Sequence, residues 1–296
     1  MNELPLYEGR LFRLAEFCCL PDDARWRSVN TVGERPVAAF PLTSVVIRQH
    51  GRDAQLANAN HVIFYRGRER YERALHDPRG DRCVFVALEP GFAGSMVAAH
   101  GLGGDVVPVT AGPSPARPYL QLRLLVRALR AGRAESLAVE EVVCVALGSA
   151  VDAAIAVNGV RRAARTTTAA EHGRLVEDAK LLLTERAAEH DSLADVAKRL
   201  HASEFHLARL FRARTGFTLH RYRTQLRLRA ALDRLGSPDQ DLTALARELG
   251  FNSHSHFTGL FGDVFGVAPS VVRDGCGRRG RAELRKILEA GGGRPA

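Results

Sequence analysis

Seven side chains near the start of two short predicted helices have the types and spacing to recognise the edges of nucleic-acid bases. Helical periodicity turns them away from the apolar face of each helix. They are Phe205, Ala208, Arg209 and Arg212 in the first helix, and His254, Ser255 and Thr258 in the second. An arginine can donate two hydrogen bonds to guanine, and an aromatic ring can pack on the methyl group of thymine. Arg209 is therefore the best candidate for a bidentate base contact, and Phe205 for an apolar one.

Two copies of one sequence pattern position these side chains. The stretch from Leu193 to Arg273 repeats itself with an offset of roughly 49 to 50 residues, which lies in the range of supersecondary repeats. Each copy predicts a short helix, a tight break and a second helix, because apolar residues recur at helical spacing and capping residues lie between them. The caps are Asp191, Ser192, Asn252 and Ser253, and Gly250 marks a helix end. Each copy is thus a predicted helix-turn-helix, whose second helix can enter a major groove.

The motifs around these helices resemble the DNA-binding domain of AraC/XylS-type transcriptional regulators. They are Leu-Phe-x4-Gly ending at Gly216, an arginine-rich segment over residues 217–235, Leu-Gly-Phe-x-Ser-x-Ser-x-Phe ending at Phe257, and Phe-Gly-x-x-Pro-x-x-x-Arg ending at Arg273. The resemblance implies two helix-turn-helix units joined by a linker helix, which read successive major grooves on one face of the duplex. Residues 217–235 suit that linker, since a helix of this length spans about 28 Å, near the ~34 Å of one DNA turn.

Nearly all of the positive charge lies in the same half of the chain. Residues 161–296 hold 24 Arg and Lys against 16 Asp and Glu, whereas residues 1–160 hold 18 against 17. An excess of this kind is what neutralisation of DNA phosphates requires. The alternative is an ordinary helical core with a solvated charged face formed by Arg221, Arg223, Arg227 and Arg229.

The first part of the chain predicts short strands. Four β-branched or aromatic runs, separated by turn residues, are Val37 to Phe40, Ser44 to Gln49, Val62 to Tyr65 and Cys83 to Leu88. Such spacing favours a small antiparallel barrel or sandwich. The family resemblance implies a cupin-like domain that binds an effector. Two apolar helical stretches follow, and they pack either on the same chain's barrel or on a second copy of the chain as a dimer seam.

The predicted fold class is α+β, with an N-terminal cupin-like β-barrel sensor domain, a helical dimerisation segment and a C-terminal all-α domain containing two helix-turn-helix units. The predicted boundaries are 1–115 for the effector-binding domain, 116–160 for the helical dimerisation or packing segment, 161–171 for a linker, 172–275 for the DNA-binding domain and 276–296 for a basic tail.

We predict no catalytic residues, no metal and no cofactor. The histidines of the strand region are scattered, and the chain has no Gly-x-Ser-x-Gly, phosphate-loop or His-Glu-x-x-His motif. Cys18, Cys19 and Cys83 are candidates for redox or electrophile sensing, because Arg82 beside Cys83 favours a thiolate, although buried inert cysteines are commoner. Five cysteines without paired spacing, the absence of a signal peptide and the absence of a long apolar span predict a cytoplasmic protein that binds no membrane.

The sequence therefore predicts a homodimeric transcriptional regulator whose N-terminal domain senses a signal, of which a small molecule is the favoured kind. Its partners would be double-stranded operator DNA and, if it is an activator, RNA polymerase; activation and repression remain open. One alternative is a DNA-repair alkyltransferase that uses a cysteine acceptor with the same DNA-binding module, and it would need a zinc-held thiolate cluster. Another is a regulator with an amidotransferase-like first half, which would need alternating strands and helices.

Overall fold

The computed structural model describes residues 3–100, 102–104, 107–161, 168–237 and 239–273, and it divides the chain into two compact units. The first unit comprises Met1–Pro115, Val126–Ser136 and Ala146–Ala163. The second comprises Ala116–Leu125, Leu137–Val145 and Ala164–Ala296. The predicted basic tail lies outside the described residues, as does most of the predicted linker.

The first unit is built on antiparallel strands. In the described ranges the strands are β1 (Glu3–Glu8), β2 (Phe12–Cys19), β3 (Asn30–Thr31), β4 (Val37–Pro41), β5 (Val45–Gln49), β6 (Gln55–Ala57), β7 (His61–Tyr65), β8 (Arg70–Leu75), β9 (Asp81–Leu88) and β10 (Ala111–Pro113). One sheet has the order β1-β2-β9-β4-β7-β10, and the other has the order β3-β8-β5-β6. The four predicted strands correspond to β4, β5, β7 and β9.

Small and branched side chains form the core of this unit. The cluster includes Ala39, Val45, Ile47, Ile63 and Phe85, which lie on strands of both sheets. All five residues of β7 are buried, and the strand lies inside the sheet between β4 and β10. A strand buried in this way reads as a continuous apolar run, which explains why it was predictable.

The helices in the described ranges are α1 (Pro90–Ala99), α2 (Ala116–Arg130), α3 (Ser136–Arg161), α4 (Thr168–Glu185), α5 (Leu193–Arg199), α6 (Glu204–Thr215), α7 (Leu219–Arg234), α8 (Leu242–Glu248), α9 (His254–Phe265) and α10 (Pro269–Arg273). Antiparallel sheets followed by helices confirm the α+β class. α4 begins four residues before the predicted domain start at position 172, since Ala169, Ala170 and Glu171 are good helix formers. None of the helices in the described ranges is long and apolar enough to span a bilayer.

The second unit contains both predicted helix-turn-helix units. The core of the first one is closed by Leu207 and Phe211 of α6, Val196 of α5, Leu183 of α4 and Tyr222 of α7. The rings of Phe211 and Tyr222 meet edge to face, with centroids 5.3 Å apart. This packing fixes α6 against three other helices, and on its opposite side Phe205, Arg209 and Arg212 are exposed.

Candidate nucleic-acid interface

Helix α6 is defined at both ends by capping residues. The Ser203 hydroxyl accepts a hydrogen bond from the backbone N–H of His206 at 3.3 Å, which satisfies one of the free donors of the first turn. Gly216 ends the helix in the left-handed conformation, with φ of +76°. Between these caps Leu207 and Phe211 are fully buried, so the register of the helix is fixed. The side chains on the opposite face of the helix, Arg209 and Arg212 among them, then face solvent.

Three of the four side chains predicted for the first DNA-facing surface lie exposed on α6. Phe205 is 79% exposed. Arg209, one turn later, and Arg212 are also exposed, and neither guanidinium has an ion pair or hydrogen bond within the described part of the chain. Ala208 differs from the prediction, because it is half-buried and packs against the core of its own unit. Its methyl group lies at the boundary between the two faces of the helix.

Helix α9, in the second helix-turn-helix unit, has the same capping and the same buried face. The Ser253 hydroxyl accepts from the backbone N–H of His256 at 3.0 Å, and Gly266 ends the helix with φ of +80°. Phe257, Phe261 and Phe265 are buried, and successive ring centroids lie 5.6 and 4.7 Å apart. The apolar stripe of α9 is therefore a row of three phenyl rings that pack edge to face.

The exposed side of α9 is small and polar. His254 and Ser255 are exposed as predicted, and Thr258 is half-buried with its Oγ1 3.4 Å from Nε2 of His254. The positions equivalent to Arg209 and Arg212 are occupied by Gly259 and Gly262. A Cβ added to either glycine would meet nothing within 4 Å. The two glycines therefore leave open space, and tight packing inside the domain does not require them.

The two helix-turn-helix units differ in their turns. The first turn uses His201 with φ of +50°, and the second uses Gly250 with φ of +78°. A Cβ on Gly250 would lie 2.1 Å from the carbonyl oxygen of Ala188, in the segment between α4 and α5. The second turn thus approaches the backbone of the first helix-turn-helix unit closely enough that only glycine fits.

Arg227 of α7 holds these two units together. Its Nε donates to the carbonyl oxygen of Ala187 at 2.5 Å, and its Nη2 donates to that of Glu189 at 2.7 Å. Its Nη1 donates to the carbonyl oxygen of Gly250 at 2.6 Å. One guanidinium therefore bridges the segment before α5 and the turn before α9. Arg223 adds a bond to the carbonyl oxygen of Asp191 at 2.7 Å.

Two arginines of α7 are buried, which contradicts the alternative that the arginines of this helix form a solvated charged face. Arg221 is exposed, but Arg227 is 7% exposed and Arg229 is 1% exposed. Burial lowers the pKa of Arg227 to about 10, and burial likewise lowers that of Arg229 to about 10, so both remain protonated at neutral pH. Composition did not reveal this, because a buried structural arginine and a phosphate-binding arginine have the same sequence signal.

A second arginine contact ties the first half of α2 to α7 inside the same unit. The Arg229 guanidinium lies 4.3 Å from the ring centroid of Tyr119. Arg123 donates to the carboxylate of Asp233 at 2.6 Å and to the hydroxyl of Tyr119 at 3.2 Å. These residues were not predicted as part of a site. Together with the bonds of Arg223 and Arg227, they give the arginine-rich segment of α7 polar contacts at both of its ends.

Sequence comparisons agree with this architecture. Residues 196–275 match a family model described as a helix-turn-helix domain. YfiF of Bacillus subtilis (strain 168), named as an uncharacterized HTH-type transcriptional regulator, is 30% identical over 99 residues, which are 33% of this chain and 31% of YfiF. RhaS of Escherichia fergusonii, named as an HTH-type transcriptional activator, is 36% identical over 93 residues, 31% of this chain and 34% of RhaS. The chain carries a helix-turn-helix domain of the AraC/XylS type.

The likeness to these relatives is confined to part of their length, about a third in both cases. A solved structure of a transcriptional regulator with an AraC-type DNA-binding domain, from Chromobacterium violaceum, is 25% identical, and the match covers 37% of this chain and 97% of that one. Its TM-score is 0.34, which supports no conclusion about the present chain. The function of the AraC-type domain in this protein is therefore inferred from the side chains on its exposed helix faces.

The candidate sensing thiols lie on adjacent strands outside the AraC-type domain. In the β2–β9 ladder, Cys19 pairs with Asp81 and Cys18 pairs with Arg82. Burial raises the pKa of Cys19, and it raises that of Cys83 well above its ordinary value. A raised pKa is opposite to the thiolate expected at Cys83, because removal from water outweighs the positive charge of Arg73, which acts to lower the pKa. Both thiols are therefore poor nucleophiles at neutral pH.

The N-terminal compact unit, which contains the strands, also has a buried arginine that the sequence analysis did not identify. Arg73 of β8 donates from Nη1 to the carboxylate of Asp81 at 2.9 Å and from Nη2 to the side-chain oxygen of Asn30 at 2.8 Å. Its guanidinium lies 4.8 Å from the ring centroid of Phe17 and 5.5 Å from that of Tyr71. The ion pair, side-chain hydrogen bond and aromatic rings together make burial of this charge tolerable.

Metal-dependent chemistry finds no support in the described ranges. No group of three or more His, Cys, Asp or Glu side chains in them is arranged to hold a metal ion. The four cysteines in the described ranges are free thiols. The alkyltransferase alternative needs a zinc-held thiolate, so the described geometry does not favour it.

Proposed function

We propose that this protein is a sequence-specific transcriptional regulator that binds double-stranded operator DNA through α6 and α9. The observation that carries the proposal is the exposed face of α6. There an unpartnered phenyl ring and two arginines without a protein partner in the described ranges stand opposite a closed core. Arginine recognises guanine edges and phosphates, and a phenyl ring recognises thymine methyls. The charge excess of residues 161–296 supplies the long-range attraction to DNA.

The sites proposed for base contact are Phe205, Arg209 and Arg212 in the first unit, with Ala208 as a marginal member. His254, Ser255 and Thr258 are the sites proposed in the second. The Arg227 clamp supports a fixed relation between the two recognition helices, since it joins backbone segments of both units. The proposal therefore includes a bipartite operator whose two parts are about one helical turn apart.

A second part of the proposal concerns the N-terminal domain, which we infer to be a cupin-like sensor of a small molecule and a homodimerisation module in a cytoplasmic regulator. A surface cavity of about 360 Å³ supports the sensing role, since ligand sites begin at about this size. Phe64 and several basic side chains, namely His50, Arg52, Arg66, Arg68 and Arg70, line it. Contact with RNA polymerase would follow only if the protein activates transcription.

The test of DNA binding is selection of ligands from a random duplex library by the full-length protein, followed by footprinting. We expect one bipartite motif, with guanine in the part protected by the first unit. A protein with both Phe205→Ala and Arg209→Ala serves as the matched variant and should lose that part of the motif. Enrichment of no motif, with only salt-sensitive binding to all sequences, would refute sequence-specific regulation.

The sensing role has a separate test. The temperature of unfolding of the full-length protein is measured across a library of small metabolites, for the natural protein and for Arg66→Ala. A ligand of this cavity should raise the unfolding temperature of the natural protein and lose its effect in the variant. A ligand that stabilises both proteins equally would place the sensing site elsewhere.

A further inference from the structure

Phe205 is the most exposed large apolar side chain in the described part of the chain, at 79%, ahead of Leu137 at 68%. It makes no ring contact with another described aromatic residue. It is also the second residue of α6, in the first turn of the helix proposed to enter the groove. A phenyl ring held in water at this place gains free energy when a partner covers it. The partner should offer an apolar group.

The distance from Phe205 to Arg209 suggests where that apolar group lies. The two side chains are four residues apart on one helix, which is about 6 Å along the helix axis. Stacked bases are about 3.4 Å apart along each strand. A helix aligned with the groove would therefore place Phe205 about two base-pair steps from the guanine read by Arg209.

Only one group in the major groove of unmodified DNA is apolar, namely the methyl group on C5 of thymine. Because a phenyl ring has no hydrogen-bond donor or acceptor of the ordinary kind, it distinguishes bases by that methyl group and not by their polar edges. Cytosine methylated at C5 presents a methyl group at the same ring position. The contact should consequently respond to methylation of cytosine as well as to thymine.

We propose that Phe205 makes the first helix-turn-helix unit a reader of the C5-methyl group of one pyrimidine in the operator. Thymine or 5-methylcytosine at that position tightens binding, and uracil or unmodified cytosine weakens it. The inference rests on the proposed DNA-binding function. The second helix-turn-helix unit provides an internal contrast, because the position equivalent to Phe205 is occupied there by Ser255, which has no apolar surface of comparable size.

The experiment uses the full-length protein and its selected DNA site, with each thymine replaced singly by uracil. Burial of one methyl group predicts that Kd rises about fourfold at one thymine in the part bound by the first unit. Phe205→Ala should bind the thymine and uracil duplexes equally, and Phe205→Leu should keep part of the difference. Leu137→Ala removes another exposed apolar side chain and should keep all of it.

A second arm places cytosine or 5-methylcytosine at the same position. The natural protein should bind the methylated duplex about fourfold more tightly than the unmethylated one, and Phe205→Ala should show no difference. Unfolding temperatures of the variants confirm that they are folded. Equal binding of thymine and uracil duplexes by the natural protein, or a preference that persists in Phe205→Ala, overturns the inference. Failure to select any site would instead refute the proposed function.

Discussion

In the first helix-turn-helix unit the exposed side of α6 is aromatic and cationic, whereas in the second the exposed side of α9 is small and polar. The buried sides differ much less, since each presents large apolar residues to its own core. Arg209 and Arg212 in the first unit correspond to Gly259 and Gly262 in the second. The comparison indicates that the second unit keeps the fold of a DNA reader with few side chains that could read. We therefore expect the first unit to dominate affinity and specificity.

The turns differ in the opposite sense: the turn of the second helix-turn-helix unit tolerates fewer residue types than the turn of the first. His201 occupies the left-handed region in the first unit with no requirement for glycine, whereas Gly250 approaches the Ala188 carbonyl oxygen too closely for any side chain. The second helix-turn-helix unit thus has the more constrained backbone at its turn, and it has fewer exposed side chains that could contact DNA. One of the three Arg227 hydrogen bonds reaches its turn, at the carbonyl oxygen of Gly250.

The largest expected effect is on that second turn. Gly250→Ala should lower the free energy of unfolding by roughly 3–5 kcal/mol, because it adds left-handed strain and a collision with a backbone oxygen that cannot move independently. The matched change in the first unit, His201→Gly, should alter it by less than about 0.5 kcal/mol, since relief of strain and added chain entropy oppose each other. Urea unfolding measures both. Equal effects would break the contrast between the turns.

The next effect concerns the clamp between the units. Arg227→Met should lower the free energy of unfolding by about 2–4 kcal/mol, because one buried and two partly buried hydrogen bonds to carbonyl oxygens lose their charged donor. Arg221→Met is the control, since Arg221 is exposed on the same helix, and it should cost less than about 0.5 kcal/mol. If loss of the clamp left stability unchanged, the hydrogen bonds to the segment before α5 and to the Gly250 turn would have no energetic role.

The unequal surfaces predict unequal losses of DNA binding. Arg209→Ala should cost about 1–3 kcal/mol of specific binding and relax the preference at one base pair, whereas Arg212→Ala should weaken all sequences more uniformly. Thr258→Ala in the second unit should cost less than Arg209→Ala. Titrations with the selected site and with single-base variants of it give these values. A larger loss at Thr258 would reverse the order of the two units.

The smallest expected effect is a gain in the second unit. Gly259→Arg should tighten binding and steepen the dependence of log K on log salt by about 0.9, the value for one added phosphate contact. The open space around Gly259 removes a steric objection, and arginine is also the better helix former. Salt titration of binding decides the matter. A marked loss of affinity in a folded protein would mean that the glycine allows α9 to approach the DNA backbone closely.

Several elements were predictable because their signals are local. The caps Ser192 and Ser253, the helix end at Gly250 and the apolar stripes of α6 and α9 depend on residues within one or two turns of each other. The buried strand β7 was predictable for a similar reason. β2 was not assigned individually, although it pairs along its whole length with β9, because Arg13 and the buried Glu16 interrupt its apolar pattern.

The sequence by itself determined the helix-turn-helix repeat, its register and, Ala208 excepted, the side chains of α6 that face away from the core, since helical periodicity converts spacing directly into direction. Tertiary structure decided which charges are available. Arg209 and Arg227 are both arginines on helices of one domain, yet the first faces solvent and the second bonds three carbonyl oxygens inside it. The same holds for the thiolate expected at Cys83. Burial depends on segments distant in sequence, and no local pattern records which of them will come close.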